Sequence, residues 1–560
     1  MTSVTLVGIN AKYIHSNLAI RCLRQAVVPR PVGLVELTIN DTITHCVDRL
    51  LSQGPMVYGF SCYIWNIRYV LELAEILKVG NPQCQIILGG PEVSYDAGQI
   101  LGAHPFIDAI VCGEGEEAFA QIIQAIDVGI DYKKMAIPGL VVENSPHSGT
   151  LESLLDLEAV PFAYTPGDLD ALKGRIIYYE TMRGCPFRCA YCLSSTLSGV
   201  RTQSLERVFK ELAFFIKHQV HQVKFVDRTF NVNPSRANQI LAFLAEQPGD
   251  TNFHFEIAAD LMDEAMFQTI ASAPVGRFQF EIGVQSTHDP ALKAITRKTD
   301  LSQVKANIRR LVDLGNCHIH ADLIAGLPHE DYHTFGRSFN AVIALGPQML
   351  QVGFLKLLKG TRLRETAEEF GCRYGSFPPY EVISTQALSA MELQELRHIE
   401  AMVDRYYNSG RFIHTLGYVL GSRSWASPFA FFEALARYWY TAGYDRGAQS
   451  RDQLYVILFE YFKEKGAEAL AFELLALDAR LQRIRKLPQG LLKGQVDSQQ
   501  SFDILKDEDF VEAFLPELEA YTPKNRHKQV LFMPASPDLR GYLGQEGEIV
   551  VIYKDRFTLV

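Results

Sequence analysis

The sequence predicts an α/β chain in three parts: a Rossmann-like lobe (residues 1–145), a partial (β/α)6 barrel (175–375) and a helical carboxyl-terminal region (376–527). Three observations predict it. Short apolar runs alternate with amphipathic stretches through the first 145 residues, the pattern of a parallel sheet wrapped by helices. Pro146, Pro161 and Pro166 then gather with Gly, Ser and Asp, which marks 146–174 as a linker. Beyond Arg175 six further apolar runs alternate with longer helical patterns, until the strand signal fades near Tyr380.

In the first lobe the strand candidates are Val4–Val7, Gly33–Leu37, Met56–Phe60, Gln85–Leu88, Ala109–Val111 and Leu140–Val142. Several end in small or polar residues: Gly8-Ile9-Asn10, Ser61-Cys62-Tyr63, Gly89-Gly90-Pro91 and Gly113-Glu114-Gly115. Open α/β sheets bind ligands outside the carboxyl ends of their strands, where such loops gather. The barrel candidates are Ile176–Glu180, Gln222–Val226, Phe253–Ala258, Phe278–Gly283, His318–Ile324 and Gln351–Leu355. Six units leave a barrel open on one side, with its chemistry at the same strand ends. Residues 380–485 are rich in aromatics, as in Phe429-Ala430-Phe431-Phe432, which read as helix core. A small β tail, 528–560, includes Glu548–Tyr553.

A chain of 560 residues holds three or four domains at about 150 residues each. Its net charge of −10 disfavours nucleic acid, whose binding rests on Lys and Arg displacing phosphate counterions. Ten cysteines in this length do not form a disulfide scaffold. Met1–Gly8 runs straight into a strand and no apolar run of ~18 residues occurs, so a reducing cytoplasm and no membrane are expected.

Arg183-Gly184-Cys185-Pro186-Phe187-Arg188-Cys189-Ala190-Tyr191-Cys192 follows the first barrel strand. Three thiolates in eight residues can wrap one face of a cubane iron–sulfur cluster and leave one iron open to a substrate. Zinc is the rival, but it prefers four ligands, and Cys317 and Cys372 stand alone.

This motif, with Tyr191 before its last cysteine, resembles the signature loop of the radical S-adenosylmethionine (SAM) superfamily. The resemblance covers roughly 175–360. It implies that Cys185, Cys189 and Cys192 hold a 4Fe-4S cluster. The open iron then chelates SAM, whose reductive cleavage gives a hydrogen-abstracting 5′-deoxyadenosyl radical. Phe280-Glu281-Ile282-Gly283-Val284-Gln285-Ser286 resembles the family's fourth-strand SAM segment, which brings in Glu281, Gln285 and Ser286. Asp227 ends strand two, Glu256 lies on strand three and Asp322 on strand five. An inward carboxylate there either accepts hydrogen bonds from SAM or pairs with a barrel Arg or Lys.

The leading lobe, with its three glycine and serine loops in this order, is similar to the cobalamin-binding lobe of many radical SAM proteins. That implies cobalamin contacts for Ser61, Tyr63, Gly89, Gly90, Pro91, Gly113 and Glu114, with Asn10, Ala11 and Tyr13 bordering the pocket. The lobe lacks D-x-H-x-x-G, so a cobalt without a protein histidine is expected, with His15 a minor candidate. The Asp331–Gly336 match to that pattern lies in the barrel, with Asp331 as a helix cap, and reads as coincidence. The carboxyl-terminal region resembles the extra module of a less characterised branch of these proteins.

The expected function is cobalamin-dependent radical methylation of an unactivated carbon in an unknown substrate. Its electron donor would be of flavodoxin or ferredoxin type. Radical rearrangement, cyclisation or hydration without methyl transfer stays open, as does a non-catalytic cobalamin or iron–sulfur sensor. RNA methylthiolation is disfavoured by the charge and by the lack of a second cysteine set.

Overall fold

The computed structural model describes residues 2–52, 54, 56–143, 155–197, 199–422, 424–484, 490–491 and 496–560. The first part of the expected linker, including Pro146, lies outside them. The chain divides into two compact units. One comprises Met1–Phe335, Leu345–Pro347 and Gly353–Ala390; the other comprises Gly336–Ala344, Gln348–Val352 and Met391–Val560.

The first unit opens with six strands: β1 (Val4–Asn10), β2 (Gly33–Thr38), β3 (Val57–Ser61), β4 (Gln85–Gly89), β5 (Ala109–Val111) and β6 (Leu140–Val141). Their order is β2-β1-β3-β4-β5-β6. Every residue of β1 is buried, because both sheet faces are covered. Val7 and Ile9 pack with Leu73 and Leu77 of helix α3 (Ile67–Gly80) on one face. Val4 and Leu6 pack with Phe119 and Ile122 of α5 (Glu116–Asp127) on the other. Two-sided burial explains why β1, β3, β4 and β5 read as continuous apolar runs. The chain steps across β1 between β2 and β3, so the loops after β1 and β3 flank the switch point where such sheets bind ligands.

One strand departs from the expected parallel sheet: β6 runs antiparallel to β5. After α5 a 3-10 turn, Tyr132–Lys134, and left-handed Gly139 reverse the chain, and Cys112 N–H donates to Gly139 O at 2.8 Å. A Cβ on Gly139 would stand 2.7 Å from Cys112 O.

The second sheet of this unit is built from β7 (Ile177–Tyr179), β10 (Gln222–Phe225), β11 (Asn252–Ile257), β12 (Phe278–Gln285) and β13 (His318–Ala325), in the order β13-β12-β11-β10-β7. Pairing is parallel from β7 to β13. Two short strands, β8 (Met182–Arg183) and β9 (Arg201–Thr202), lie between β7 and β10 in sequence. Phe225, Phe255, Phe278 and Phe280 form the apolar face, their rings tilted or edge-on in most pairs. Strand alternation puts Lys224, His254, Glu256, Glu281, His320 and Asp322 on the other face, inside the partial barrel. At the β7 edge, His15 from the loop after β1 makes a parallel bridge with Ile176.

The second unit is mainly helical. Among the described residues its longest helices are Arg451–Lys465 and Pro428–Thr441, followed by Ala469–Leu481 and Ala390–Met402. Phe431, Phe432, Trp439, Tyr461 and Phe462 are buried among them, so the aromatic runs are helix core. The tail from Leu531 to Leu559 folds as a three-stranded antiparallel sheet.

Candidate active site

The cysteine loop leaves and returns through one clip. β8 and β9 pair antiparallel, Met182 opposite Thr202 and Arg183 opposite Arg201. Gly184 follows at φ 93°, and a Cβ there would run into the Gly199 carbonyl oxygen. Only glycine satisfies both the left-handed backbone and that close approach. Gly184→Ala should therefore unseat the loop. The expected readout is at least about a tenfold loss of bound iron and sulfide, with the fold of both sheets preserved by circular dichroism.

The rest of the loop is pinned. Ala190 N–H donates to Ile295 O at 2.8 Å, and Ala190 O accepts from Leu363 N–H at 2.9 Å. Asp227 is fully buried and accepts from Thr181 N–H at 2.8 Å, Met182 N–H at 3.1 Å and the Thr181 hydroxyl. Its two oxygens are thus spent on bracing the clip, and it is not presented to a ligand as the sequence suggested. Burial raises its carboxyl to about 7 against those hydrogen bonds.

Cys185 and Cys189 are buried, Cys192 half-buried, and all three are free thiols. Burial holds the Cys189 thiol above its ordinary value, while the Arg297 guanidinium, 3.8 Å from its Sγ, pulls the other way. The Thr229 hydroxyl stands 3.6 Å from Cys185 Sγ. A cation beside thiolates suits an anionic cluster. Among the described residues, donor atoms close enough for one ion, all within 4.8 Å, occur at His254, Glu281 and His320 and not at the three sulfurs. That spread fits thiols set around a cluster and not closed on a zinc ion.

At the end of β12 the register shifts between Gly283 and Gln285, and Gln285 takes φ 68°, unusual for a side-chain-bearing residue. Its Oε1 is buried without a hydrogen-bond partner, an orphaned acceptor that suits a ligand ammonium. Ser286, fully buried, donates to Glu330 at 2.7 Å and accepts from His288 N–H. Burial raises the Tyr191 phenol, which lies close to Arg297. Glu281, four residues before Gln285, is paired with Lys224 at 2.8 Å, and His254 Nε2 lies 3.1 Å from it without hydrogen-bond geometry. Burial raises the Glu256 carboxyl, with Arg228 opposing.

In the first lobe three loops are tied together. Cys62 N–H donates to Gly89 O at 2.7 Å, and a Cβ on Gly90, at φ 111°, would stand 2.5 Å from Cys62 O. The Ser94 hydroxyl donates to Gly90 O at 2.8 Å and accepts from Gly113 N–H at 3.3 Å. Pro91 is exposed beside them. Ser61 accepts from Asn17 at 3.0 Å, and buried Asn10 spans His15 O and Glu36. Tyr63 stacks on Trp65 at 4.4 Å, whereas Ala11 is half-buried and Tyr13 is 73% exposed beneath the Arg175 guanidinium. Glycine at position 90 is therefore required by the packing of one loop on the next. His15 is already engaged, its Nδ1 2.8 Å from the Tyr178 hydroxyl.

Glu114 differs from its expected role as a cobalamin contact. Both its oxygens meet Arg201, one at 3.0 Å, with Arg183 at 3.5 Å and Leu155 N–H at 2.9 Å. Arg183 also pairs with Glu116 and, at 2.9 Å, with Glu180. The lobe's Gly113–Glu116 loop is thereby strapped to the clip that frames the cysteines. Arg183 stands in the motif itself, two residues before Cys185, but nothing local in the sequence names its partners. Arg201, Arg297 and Ser94 carry no sequence signal at all.

A lobe of Rossmann type is strapped, through its Gly113–Glu116 loop, to the clip of a three-cysteine loop beside a partial barrel, an arrangement that suits cofactors in both parts. Family models agree. Residues 4–123 match the B12 binding domain, 179–342 the radical SAM superfamily and 368–552 a protein family of unknown function, DUF4080. A match to the B12 binding domain thus stands ahead of a match to the radical SAM superfamily, and the cofactors these two domains imply are a 4Fe-4S cluster, SAM and cobalamin. It is 29% identical over 347 residues to the cobalamin-dependent radical SAM methyltransferase TokK of Streptomyces tokunonensis, covering 57% of this chain and 50% of that protein. It is 28% identical over 321 residues to 2-(S-pantetheinyl)-carbapenam-3-carboxylate methyltransferase of Streptantibioticus cattleyicolor, covering 52% and 45%. The chain thus spans about half the length of these relatives. The cobalamin-dependent SAM radical enzyme OxsB, solved with aqua-cobalamin, superposes with a TM-score of 0.57 at 14% identity over 97% of this chain and 83% of OxsB. Among the described residues no helix is long and apolar enough to cross a membrane.

Proposed function

We propose that the chain is a cobalamin-dependent radical SAM methyltransferase acting on an unactivated carbon of an unknown substrate. The observation that carries this reading is the strap of Arg183 and Arg201 on Glu114 and Glu116, which fixes a cobalamin-lobe loop to the clip of the cysteine loop. Methyl transfer to a carbon radical requires both cofactors to act on one bound substrate, so their spacing must be held.

Cys185, Cys189 and Cys192 would hold the cluster, and Tyr191, Gln285 and Ser286 would line the SAM site. Gln285 Oε1 would accept from the SAM ammonium, and Arg297 would offset the negative charge of the thiolates. Ser61, Tyr63, Gly89, Gly90, Pro91 and Gly113, with Asn10, Ala11 and Tyr13 on the first loop, would line the cobalamin site. When bound, these cofactors supply hydrogen-atom abstraction and a transferable methyl group. The protein's part is to orient them and exclude water. A low-potential donor of flavodoxin or ferredoxin type in the cytoplasm would provide the electrons.

The test is anaerobic reconstitution with iron, sulfide and cobalamin, then incubation with a reductant, methyl-labelled SAM and a metabolite extract. S-adenosylhomocysteine together with 5′-deoxyadenosine and a labelled product is the expected result. Only 5′-deoxyadenosine would replace methylation by rearrangement or cyclisation. Neither nucleoside, from protein that holds both cofactors, would overturn the enzyme reading in favour of a sensor.

A further inference from the structure

The barrel interior contains a second donor set, four residues before Gln285 along β12. His254 on β11, Glu281 on β12 and His320 on β13 come from three successive strands, with Glu281 and His320 paired in register. One ligand atom from each lies within 4.8 Å of the other two. Both histidines are 6% exposed, and the Nε2 atom of each lacks a hydrogen-bond partner. His254 Nε2 lies 3.1 Å from a Glu281 oxygen and His320 Nε2 lies 3.2 Å from an Asp322 oxygen, neither with hydrogen-bond geometry. Buried polar atoms are rarely left so without a ligand or water between them.

Charge points the same way. Glu256, Glu281 and Asp322 share this interior with one lysine, Lys224, whose Nζ is 2.8 Å from Glu281 Oε2. Neutral imidazoles at His254 and His320 would offer lone pairs to a cation.

We propose that His254, Glu281 and His320 bind a divalent transition-metal cation of the zinc type, at a site separate from the cysteine loop, which cross-links β11, β12 and β13 inside the open barrel. Two imidazoles and one carboxylate are a donor set for such a borderline cation. Lys224 stands in for the cation in the metal-free protein: its ammonium takes the Glu281 oxygen that the metal would take, and its flexible stem lets it withdraw. Metal and ammonium therefore compete.

The test uses the full-length chain with Cys185, Cys189 and Cys192 all changed to alanine, so that the cluster site takes no metal. After chelation and dialysis against zinc, elemental analysis should find about one equivalent bound. His320→Gln or Glu281→Gln on that background should lose it, and Lys224→Met should tighten it by about tenfold. Cobalt(II) gives a readout that needs no substitution at the site: its visible bands should show nitrogen and oxygen ligation without a thiolate charge-transfer band. Protein that takes up no metal after dialysis, or an equivalent that survives both His320→Gln and Glu281→Gln in folded protein, overturns the proposal.

Discussion

Cys189→Ala protein should bind cobalamin as tightly as the wild type and lose SAM cleavage by about a thousandfold or more. Cys189 is the middle cysteine of the three and the one beside Arg297, so its loss leaves two thiols separated by six intervening residues. Two thiolates do not hold a cubane with one corner free. The cobalamin loops should be indifferent to the change, because they rest on a different sheet with its own two-sided core around Val7 and Leu6. The measurements are the electron paramagnetic resonance signal of the reduced protein, 5′-deoxyadenosine by chromatography, and the corrinoid absorbance after gel filtration. Retained cleavage would place the reactive cluster elsewhere. Lost cobalamin binding would mean that cluster loop and lobe fold as one unit.

What was legible in the sequence was what is local. β1, β3, β4 and β5 announce themselves because two-sided burial demands unbroken apolar runs, and the cysteine loop because its three thiols fall within eight residues. The direction of β6 was not legible, since a 3-10 turn and one left-handed glycine decide it. Nor was the use of Glu114 and Asp227. A glutamate in a glycine loop looks like a ligand contact until its partner Arg201, 87 residues away in sequence, arrives from the barrel. A strand-end aspartate looks open until Thr181 and Met182 fold over it. Carboxylate roles depend on which cations and amides the tertiary fold delivers, and no periodicity encodes that.

Arg183 shows how much energy such delivered contacts hold. Its side chain is 14% exposed and meets Glu180, Glu114 and Glu116 at once. Arg183→Met keeps much of the bulk but strands carboxylates in a buried place, which should cost about 3–5 kcal/mol of stability. Arg201 still holds Glu114, so Glu116 and Glu180 bear most of the loss. The pH dependence follows from the two directions of shift. Against the cost of burial, Arg201 and its neighbours hold the Glu114 carboxyl below its ordinary range. Its contribution is therefore present above the ordinary carboxylate value and lost as acid takes pH through the lowered one. Burial raises the Glu180 carboxyl even with Arg183 in place, and without Arg183 it must rise further. Stability tied to a raised carboxyl is lost as pH climbs through it, so the Arg183→Met deficit should be small at acid pH and grow toward neutrality. Melting curves of the two proteins across that range measure it. Where the variant keeps its cluster, the proposed methylated product should fall against 5′-deoxyadenosine, because the Gly113–Glu116 loop is no longer strapped to the cysteine clip. A variant that melts with the wild type at neutral pH and keeps the same product ratio would leave the strap no part in holding the two cofactors in place.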